Sequence, residues 1–376
     1  MTRLFLSPPH MSGRERDYVN KAFDSNYVAP AGPMIGSFET AVENYTGIPH
    51  AVALTSGTAA IHLALKSLDL SVGDEVWASS LTFIGSVAPV LYERLTPVFI
   101  DSSIDDWTLD VNMLAENLHD RAINGKLPKA LIPTDIYGQS CDLDEILRIC
   151  NSYDIPVIAD SAEAIGARYK DRHAGAGAYA TAFSFNGNKI ITTSGGGLLA
   201  SHNEKVIDRA RFLSTQARES FVHYQHLEVG YNYRMSNICA AIGCGQIEVL
   251  DERVNRRRDI FELYKKLLEE LPGISFMPEP KNCRSTRWLS VICIEPGAFG
   301  SDRETVRLVL EANDIESRPV WKPMHMQPVF VGAEHFGGKV SETLFAQGLC
   351  LPSGSQMSDD DVVRVSEVLI AMHGKS

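Results

Sequence analysis

Lys189 is the residue of this sequence whose setting points most directly to covalent chemistry. It is the only Asp, Glu, Lys or Arg between Arg172 and Glu204, and most of its neighbours are apolar, glycine or hydroxyl residues. An ammonium group is costly to bury alone, and a buried lysine tends to lose its proton. The neutral amine is the nucleophile of Schiff-base chemistry. A lysine whose head reaches from a strand end to water would show the same pattern.

Asp160 is a candidate partner for Lys189. It ends an apolar run over residues 156–159 that is typical of a buried strand. In open α/β sheets, ligands bind beyond the carboxyl ends of the strands. A carboxylate there can pair with the protonated ring nitrogen of pyridoxal phosphate, the cofactor that lysine residues carry in enzymes. A helix N-cap is an equally good interpretation of Asp160. The interval between the two residues leaves room for one strand, so both could meet at one ring.

A turn of small and hydroxyl residues could hold a phosphate group. Gly57 and Thr58 lie between a predicted strand and a predicted helix, and Ser184 adds a hydroxyl shortly before Lys189. Amides at a helix start and hydroxyl groups favour anions, although Ser and Thr also cap helices that bind nothing. Phe83 could stack on an aromatic ring or belong to an ordinary core.

Composition excludes several classes of protein. The 376 residues include 35 Lys and Arg against 47 Asp and Glu, a net charge of −12 that argues against nucleic-acid binding. No apolar run approaches the roughly 18 residues of a membrane span, and the N-terminus is too short in apolar residues for a secretory signal. Seven scattered cysteines without a Cys-x-x-Cys motif predict a cytoplasmic protein. His223 and His226 lack further ligands nearby, so no metal site is predicted.

Strand and helix patterns alternate from about residue 36 to 250, which is typical of an α/β protein with a parallel sheet. An early helix is predicted to open at Gly36. A charged helical segment over 251–258 separates a large domain, residues 1–250, from a smaller C-terminal α/β domain, residues 251–376. Strands are predicted over residues 51–54, 75–78, 97–101, 130–134 and 156–160.

Several motifs together resemble one family, the DegT/DnrJ/EryC1/StrS sugar aminotransferases. The resemblance covers nearly the whole chain and implies a fold-type-I pyridoxal phosphate enzyme with a mostly parallel sheet in its large domain. The motifs that carry it are Ser56-Gly57-Thr58-Ala59-Ala60, Asp160-Ser161-Ala162-Glu163-Ala164, Ser184-Phe185-Asn186-Gly187-Asn188-Lys189, Gly230-Tyr231-Asn232-Tyr233-Arg234-Met235, Glu316-Ser317-Arg318-Pro319, Pro323-Met324-His325 and Leu351-Pro352.

The resemblance also implies roles for single residues. Lys189 forms the Schiff base and moves protons, and Asp160 pairs with the ring nitrogen. Glu163 lies on the side of the ring's phenolic oxygen, at a position where family members often carry Gln or His. The other implied cofactor contacts are Phe83, which stacks on the ring, Gly57, Thr58 and Ser184 at the phosphate, and Asn232, which reaches the phosphate of the neighbouring subunit of a homodimer. The implied substrate contacts are Asn188, Arg318, Trp321 and His325.

Relatives that dehydrate sugars carry histidine in place of the lysine, so Lys189 favours transamination, with glutamate as the expected amino donor. The loop over residues 186–197 is most similar to that of enzymes that aminate C4 of a UDP-linked 4-keto-6-deoxy-N-acetylhexosamine on the route to bacillosamine. A GDP-linked 4-keto sugar, as used by perosamine synthases, is the alternative substrate. A protein that binds pyridoxal phosphate without turnover is the alternative from a different functional class.

Overall fold

The computed structural model describes residues 2–373 of the chain. Its helices are α1 Glu15–Asp24, α2 Pro33–Thr46, α3 Gly57–Lys66, α4 Ala88–Tyr92, α5 Val111–Ile123, α6 Leu143–Asn151, α7 Glu204–Ser214, α8 Asn237–Ile247, α9 Leu250–Leu268, α10 Pro296–Phe299, α11 Arg303–Ala312, α12 Lys339–Gln347 and α13 Asp359–His373. Its strands are β1 His50–Leu54, β2 Glu75–Ser79, β3 Thr96–Ile100, β4 Ala130–Ile132, β5 Ile158–Asp160, β6 Arg168–Tyr169, β7 Arg172–His173, β8 Ala180–Ser184, β9 Gly197–Ser201, β10 Ile274–Phe276, β11 Cys283–Arg284, β12 Ser290–Ile294, β13 Arg318–Pro319, β14 His335–Phe336 and β15 Gly348–Leu351.

The central sheet follows the order β14-β3-β2-β4 and continues through β5-β8-β9-β1. Parallel bridges from Leu131 to Val157 and from Thr134 to Asp160 join the two halves. The pairs from β14 to β8 are parallel, whereas β9 is antiparallel to both of its neighbours, β8 and β1. The expectation of a mostly parallel sheet is confirmed.

Helices cover both faces of this sheet, because successive strand residues point to opposite sides. In β1, Val52 and Leu54 belong to the same core cluster as the apolar residues of α3 and α7. Ala51 and Ala53 belong instead to the cluster of α2. A sheet buried on both faces explains why its strands are continuous apolar runs without alternation.

A second, antiparallel sheet lies in the C-terminal part of the chain, in the order β10-β12-β15-β13. Apolar residues of α9, α11 and α13 form one core with it. The N-terminus pairs with this part too, since Leu4 bridges to Ile315 and Arg3 forms an ion pair with Glu311. Conversely, β14 belongs to the C-terminal part of the chain but pairs with β3 of the central sheet. The division at residue 250 remains a prediction.

Several predicted boundaries differ from the structure by one to three residues; the strand predicted over 156–160, for example, begins at Ile158. The early helix begins at Pro33 and not at Gly36, because proline is well suited to the first turn, where its missing N–H costs nothing. The strand predicted over 130–134 ends at Ile132.

Within residues 2–373, no helix is long and apolar enough to cross a membrane, and no group of His, Cys, Asp and Glu side chains is arranged to hold a metal ion.

Candidate active site

Lys189 lies in the connection between β8 and β9, with its side chain only 12% exposed. Its amide donates to the carbonyl of Asn186 at 3.0 Å, which closes a turn and directs the side chain inward. The Nζ atom lies 3.4 Å from Oε1 of Glu163 and 4.1 Å from the centre of the Trp288 ring. The amine is thus held inside the protein between a carboxylate and an aromatic face.

Asp160 ends β5 at the carboxyl edge of the central sheet and is buried. Burial raises the pKa of its carboxyl group, while hydrogen bonds from Ser86 and from the amide of Ala162 lower it. The Ser86 hydroxyl donates to Oδ2, and the Ala162 amide donates to Oδ1 at 3.1 Å. Such a carboxylate needs a cationic partner, and the protonated nitrogen of a pyridine ring is one.

A chain of hydroxyl groups leads to Asp160 from the neighbouring strands. Because Ser86 donates its proton to Asp160, the Thr82 hydroxyl, 2.6 Å from that of Ser86, must donate to Ser86. The hydroxyl of Thr134 in turn donates to Thr82 at 3.0 Å. Every donor in the chain therefore points towards the carboxylate, which favours its ionised form.

Glu163 is buried beside Lys189, and burial raises the pKa of its carboxyl group. Oε2 accepts a hydrogen bond from the Tyr137 amide at 2.8 Å, while Oε1 faces the lysine. Tyr137 adopts a left-handed backbone conformation, with φ at 52°, which few residues other than glycine adopt. The hydroxyl of the same tyrosine accepts from the Trp321 amide at 2.8 Å.

The N-terminus of α3 also lines the site. Ser56 caps this helix by accepting from the Ala59 amide at 3.0 Å, and Gly57 and Thr58 form its first turn. Three chain segments meet closely here. A Cβ atom at Gly57 would lie 3.1 Å from Cβ of Ser184, and one at Gly197 would lie 2.1 Å from the carbonyl carbon of Ser56. Helix amides and hydroxyl groups at such a turn suit a phosphate group.

One cavity of about 290 Å³ connects these groups. Its lining includes an amine, two carboxylates, several hydroxyl groups, a helix start and aromatic rings. This set of donors fits pyridoxal phosphate, whose ring nitrogen is cationic and whose phosphate is anionic. The lining residues are Ser56, Gly57, Thr58, Ile61, Thr82, Phe83, Gly85, Ser86, Thr134, Asp160, Ala162, Glu163, Ser184, Asn186, Asn188, Lys189, Trp288 and Trp321.

Most residues expected in the site line this cavity, and three do not. Asn232 is exposed and pairs with Thr215. Arg318 is exposed and forms an ion pair with Glu316 at 2.8 Å. The cavity residues expected from the sequence are Gly57, Thr58, Phe83, Asp160, Glu163, Ser184, Asn188, Lys189 and Trp321. What each of them binds remains a prediction.

His325 is the third residue that does not line the cavity. Its Nδ1 lies 2.6 Å from the Ser80 hydroxyl, and its Nε2 lies 3.1 Å from Oε1 of Glu342. The ring stacks on His335 with 4.5 Å between ring centres. Both ring nitrogens are therefore engaged with protein atoms, and His325 connects the end of β2 to α12.

Sequence reasoning missed five contributors to the site. Ser86, Thr82 and Thr134 form the chain of hydroxyl groups that leads to Asp160, and Tyr137 and Trp288 contact Glu163 and Lys189. Ser86 stands only three residues from Phe83, so proximity to a candidate was one available signal. Trp288 lies far along the chain from the other site residues, and no local pattern marks it.

Comparisons with known proteins agree with this geometry. The sequence model of the DegT/DnrJ/EryC1/StrS aminotransferase family matches residues 9–370. The chain belongs to this family. The Bacillus subtilis (strain 168) protein EpsN, which carries the name of a pyridoxal phosphate-dependent aminotransferase, is 50% identical over 98% of this chain and 95% of its own length. GDP-perosamine synthase of Escherichia coli O157:H7 is 34% identical over 96% of this chain and 95% of its own length.

Solved structures of aminotransferases share the fold. The crystal structure of DesI in the presence of its TDP-sugar product has a TM-score of 0.91 at 25% identity, and the match covers 99% of this chain and 93% of DesI. The protein is accordingly a pyridoxal phosphate-dependent sugar aminotransferase of fold type I. This membership decides in favour of an enzyme over a non-catalytic cofactor-binding protein.

Proposed function

We propose that this aminotransferase moves an amino group from glutamate to C4 of a UDP-linked 4-keto-6-deoxy-N-acetylhexosamine, which gives UDP-4-amino-4,6-dideoxy-N-acetylglucosamine. The observation that carries the proposal is the Asn186-Gly187-Asn188-Lys189 loop, which resembles that of C4 aminotransferases for UDP sugars and which lines the cavity. The cavity also presents the aromatic rings of Phe83, Trp288 and Trp321, which suit the apolar faces and methyl groups of a 6-deoxy sugar.

The residues of the site divide the work between charge, anchoring and proton transfer. Bound pyridoxal phosphate supplies an electron sink and carries the amine between donor and acceptor. Asp160 would keep a positive charge on the ring nitrogen of this cofactor, and the start of α3 with Ser184 would hold its phosphate. The Lys189 amine removes a proton from the donor carbon and later delivers one to C4 of the sugar. Glu163, next to Nζ, holds that amine in reach.

The second candidate is amination of a GDP-linked 4-keto-6-deoxy sugar. It is supported by the 34% identity to GDP-perosamine synthase over nearly the whole chain. The two candidates differ in the base of the nucleotide and in the substituent on C2 of the sugar, which is an acetamido group in the UDP substrate and a hydroxyl group in the GDP substrate.

Paired assays separate the candidates. The purified enzyme is loaded with pyridoxal phosphate, given L-glutamate and one of the two keto-sugars, and the nucleotide-sugar products are identified by mass spectrometry and NMR. We expect the UDP sugar to be aminated at C4 with a kcat/KM at least tenfold above that of the GDP sugar. Amination of the GDP sugar alone would refute the first candidate, and an unchanged pair of sugars would refute both.

We further propose that the enzyme is a homodimer in which Asn232 completes the neighbouring site. Asn232 is exposed, and it follows a segment with large apolar side chains in water, of which Tyr224 is 80%, Leu227 76% and Val229 86% exposed. Exposed apolar groups on one segment are typical of a surface that another chain covers. A second copy of this chain is the occupant that the shared-site arrangement of the family implies.

Mixing two inactive variants tests the shared site. In a mixed dimer of Lys189→Ala and Asn232→Ala chains, a shared arrangement leaves one site with both residues intact. Random mixing should then restore about one quarter of the wild-type activity. If Asn232 serves the site of its own chain, the mixture will be no more active than the average of the two variants. Light scattering of each preparation checks that dimers are present.

A further inference from the structure

Trp288 contacts the amine of the central lysine, although it lies far along the chain from Lys189 and no sequence pattern marked it. The Nζ atom of Lys189 lies over the Trp288 ring, 4.1 Å from its centre, and 3.4 Å from Oε1 of Glu163. Trp288 is 1% exposed, so the contact is shielded from water. A cation over the face of a tryptophan is attracted by the ring, and the attraction grows when water is excluded.

A closed set of hydrogen bonds fixes the position of Trp288. Its Nε1 donates to the carbonyl of Asn188 at 2.8 Å, and its own carbonyl accepts from Nη1 of Arg257. Nη2 of Arg257 donates to the Ser7 hydroxyl at 3.0 Å, and that hydroxyl donates to the same Asn188 carbonyl at 2.7 Å. The peptide just before Lys189 is therefore tied to the N-terminal segment, to α9 and to Trp288.

Arg257 is unusual for a buried arginine. It is 1% exposed, burial lowers its pKa to about 9, and no carboxylate within residues 2–373 forms an ion pair with it. Burying an unpaired guanidinium group destabilises a fold, and apolar residues would fill the same volume at lower cost. Among the described residues, its two terminal nitrogens donate to the Trp288 carbonyl and to the Ser7 hydroxyl. The role of Arg257 that the structure shows is therefore to hold these two groups in place.

We propose that Trp288 is a positioning residue that seats the Lys189 amine against Glu163 whenever this amine is not bonded to the cofactor. During turnover the amine must leave the cofactor, act as acid and base, and return, and a lysine side chain is flexible enough to occupy many positions. The Trp288 face and the Glu163 carboxylate together define one position for the free amine. The proposal concerns the amine alone and holds for either nucleotide sugar.

Two variants of Trp288 distinguish the effect of losing the aromatic face from the effect of making the side chain smaller. Trp288→Phe keeps an aromatic face and loses the Nε1 hydrogen bond, whereas Trp288→Leu loses the face. Trp77→Phe is the matched control, because Trp77 is also fully buried but lies in β2 away from the cavity. Each variant is examined for its melting temperature, for the rate of single turnover with L-glutamate, and for the structure of the cofactor-stripped protein.

The rate of single turnover with L-glutamate is expected to be highest in wild type, lower in Trp288→Phe and lowest in Trp288→Leu. The limiting rate at saturating glutamate should fall roughly 2- to 30-fold in Trp288→Leu, while the glutamate concentration at half-saturation stays unchanged. In Trp288→Phe the limiting rate should fall by less than in Trp288→Leu. In crystals of the stripped protein, Nζ should stay about 3.4 Å from Glu163 Oε1 in wild type and Trp288→Phe, and should leave this position in Trp288→Leu.

Several results would overturn the proposal. A wild-type rate in Trp288→Leu, or an unmoved Nζ in its crystals, would show that the ring face does not position the amine. Equal rate and melting-temperature losses in both Trp288 variants, matched by Trp77→Phe, would show a structural role only. If wild type itself does not react with glutamate, the proposed donor is wrong, and the crystal structures still decide the question for Trp288.

Discussion

The Ser86 hydroxyl donates a hydrogen bond to Oδ2 of Asp160, and this bond joins the loop after β2 to the carboxyl end of β5. Both groups are buried, and Ser86 is itself the last member of a chain of hydroxyl groups from Thr134 through Thr82. The charge that we propose Asp160 offers to a ring nitrogen thus depends on residues from two other connections of the central sheet, the one after β2 and the one after β4.

Ser86→Ala should therefore weaken cofactor binding. The variant removes the donor to Oδ2, and a hydrogen bond to a charged group is worth about 1.5–3 kcal/mol, so the Kd for pyridoxal phosphate should rise about 10- to 150-fold. Equilibrium titration of the stripped protein, followed by cofactor absorbance, measures the change. Ser67→Ala is the control, because the Ser67 hydroxyl bonds only within its own helix end and to Tyr179. Equal affinities for all three proteins would contradict this assignment.

Lys189→Ala should abolish both covalent attachment of the cofactor and turnover. Loss of a general acid and base lowers rates by roughly 10²- to 10⁴-fold, and loss of the covalent bond adds to this. Borohydride reduction followed by peptide mass spectrometry should find the cofactor on Lys189 in wild type and on no peptide of the variant. Full activity in the variant would refute the role proposed for Lys189. Lys205→Ala, at the exposed start of α7, serves as the control.

Gly197→Ala should disrupt the phosphate end of the site. The added Cβ would lie 2.1 Å from the carbonyl carbon of Ser56. Because the atoms it meets belong to the backbone of Ser56 and Gly57, the turn before α3 must move. Overpacking of this kind costs about 1–3 kcal/mol, and here it also displaces the helix start that we propose binds the phosphate. We expect a lower melting temperature and rapid loss of cofactor on dialysis.

Gly195→Ala is the matched control for this substitution. It lies in the same run of three glycines, no atom is within 4 Å of its added Cβ, and its φ is not positive. The control should retain the cofactor like wild type. Comparable cofactor loss in both variants would indicate that flexibility of the loop matters, and not the approach of β9 to Ser56.

Asp135 should make the stability of the stripped protein depend on pH. Burial raises the pKa of its carboxyl group from 3.8 to about 6, while hydrogen bonds from Ser161 and the Cys141 amide act in the opposite direction. The folded protein therefore binds this proton more tightly than the unfolded chain does. Its contribution is complete below pH 3.8 and is lost as pH rises to about 6.

Asp135→Asn removes this titration. The free energy of unfolding of wild type minus that of Asp135→Asn should fall by about 2 kcal/mol between pH 4 and pH 7, as measured by urea unfolding at each pH. The difference between the two proteins cancels the titration of the other carboxylates. A flat difference, or one that rises with pH, would show that Asp135 is ionised in the folded protein at acidic pH.

The sequence alone was sufficient to identify the residues that meet in the cavity. An isolated lysine in an uncharged stretch, an aspartate at a strand end and a Gly57-Thr58 turn all line one cavity in the structure. They could be predicted because each depends on local pattern: strand ends and helix starts meet at one edge of a parallel sheet. The mostly parallel sheet also followed from the alternation of strand and helix. Phe83, Ser184 and Trp321, which the family resemblance indicated, line the same cavity.

Tertiary structure alone decided how these groups are held. The Ser86 bond to Asp160, the Tyr137 amide on Glu163 and the Trp288 ring under Lys189 join segments that are distant along the chain. Such contacts have no periodicity or local spacing, because they arise only when separate strands and the C-terminal sheet pack together. The sequence therefore determined which residues could react, and the packing of distant segments determined their charge, their reach and their shielding from water.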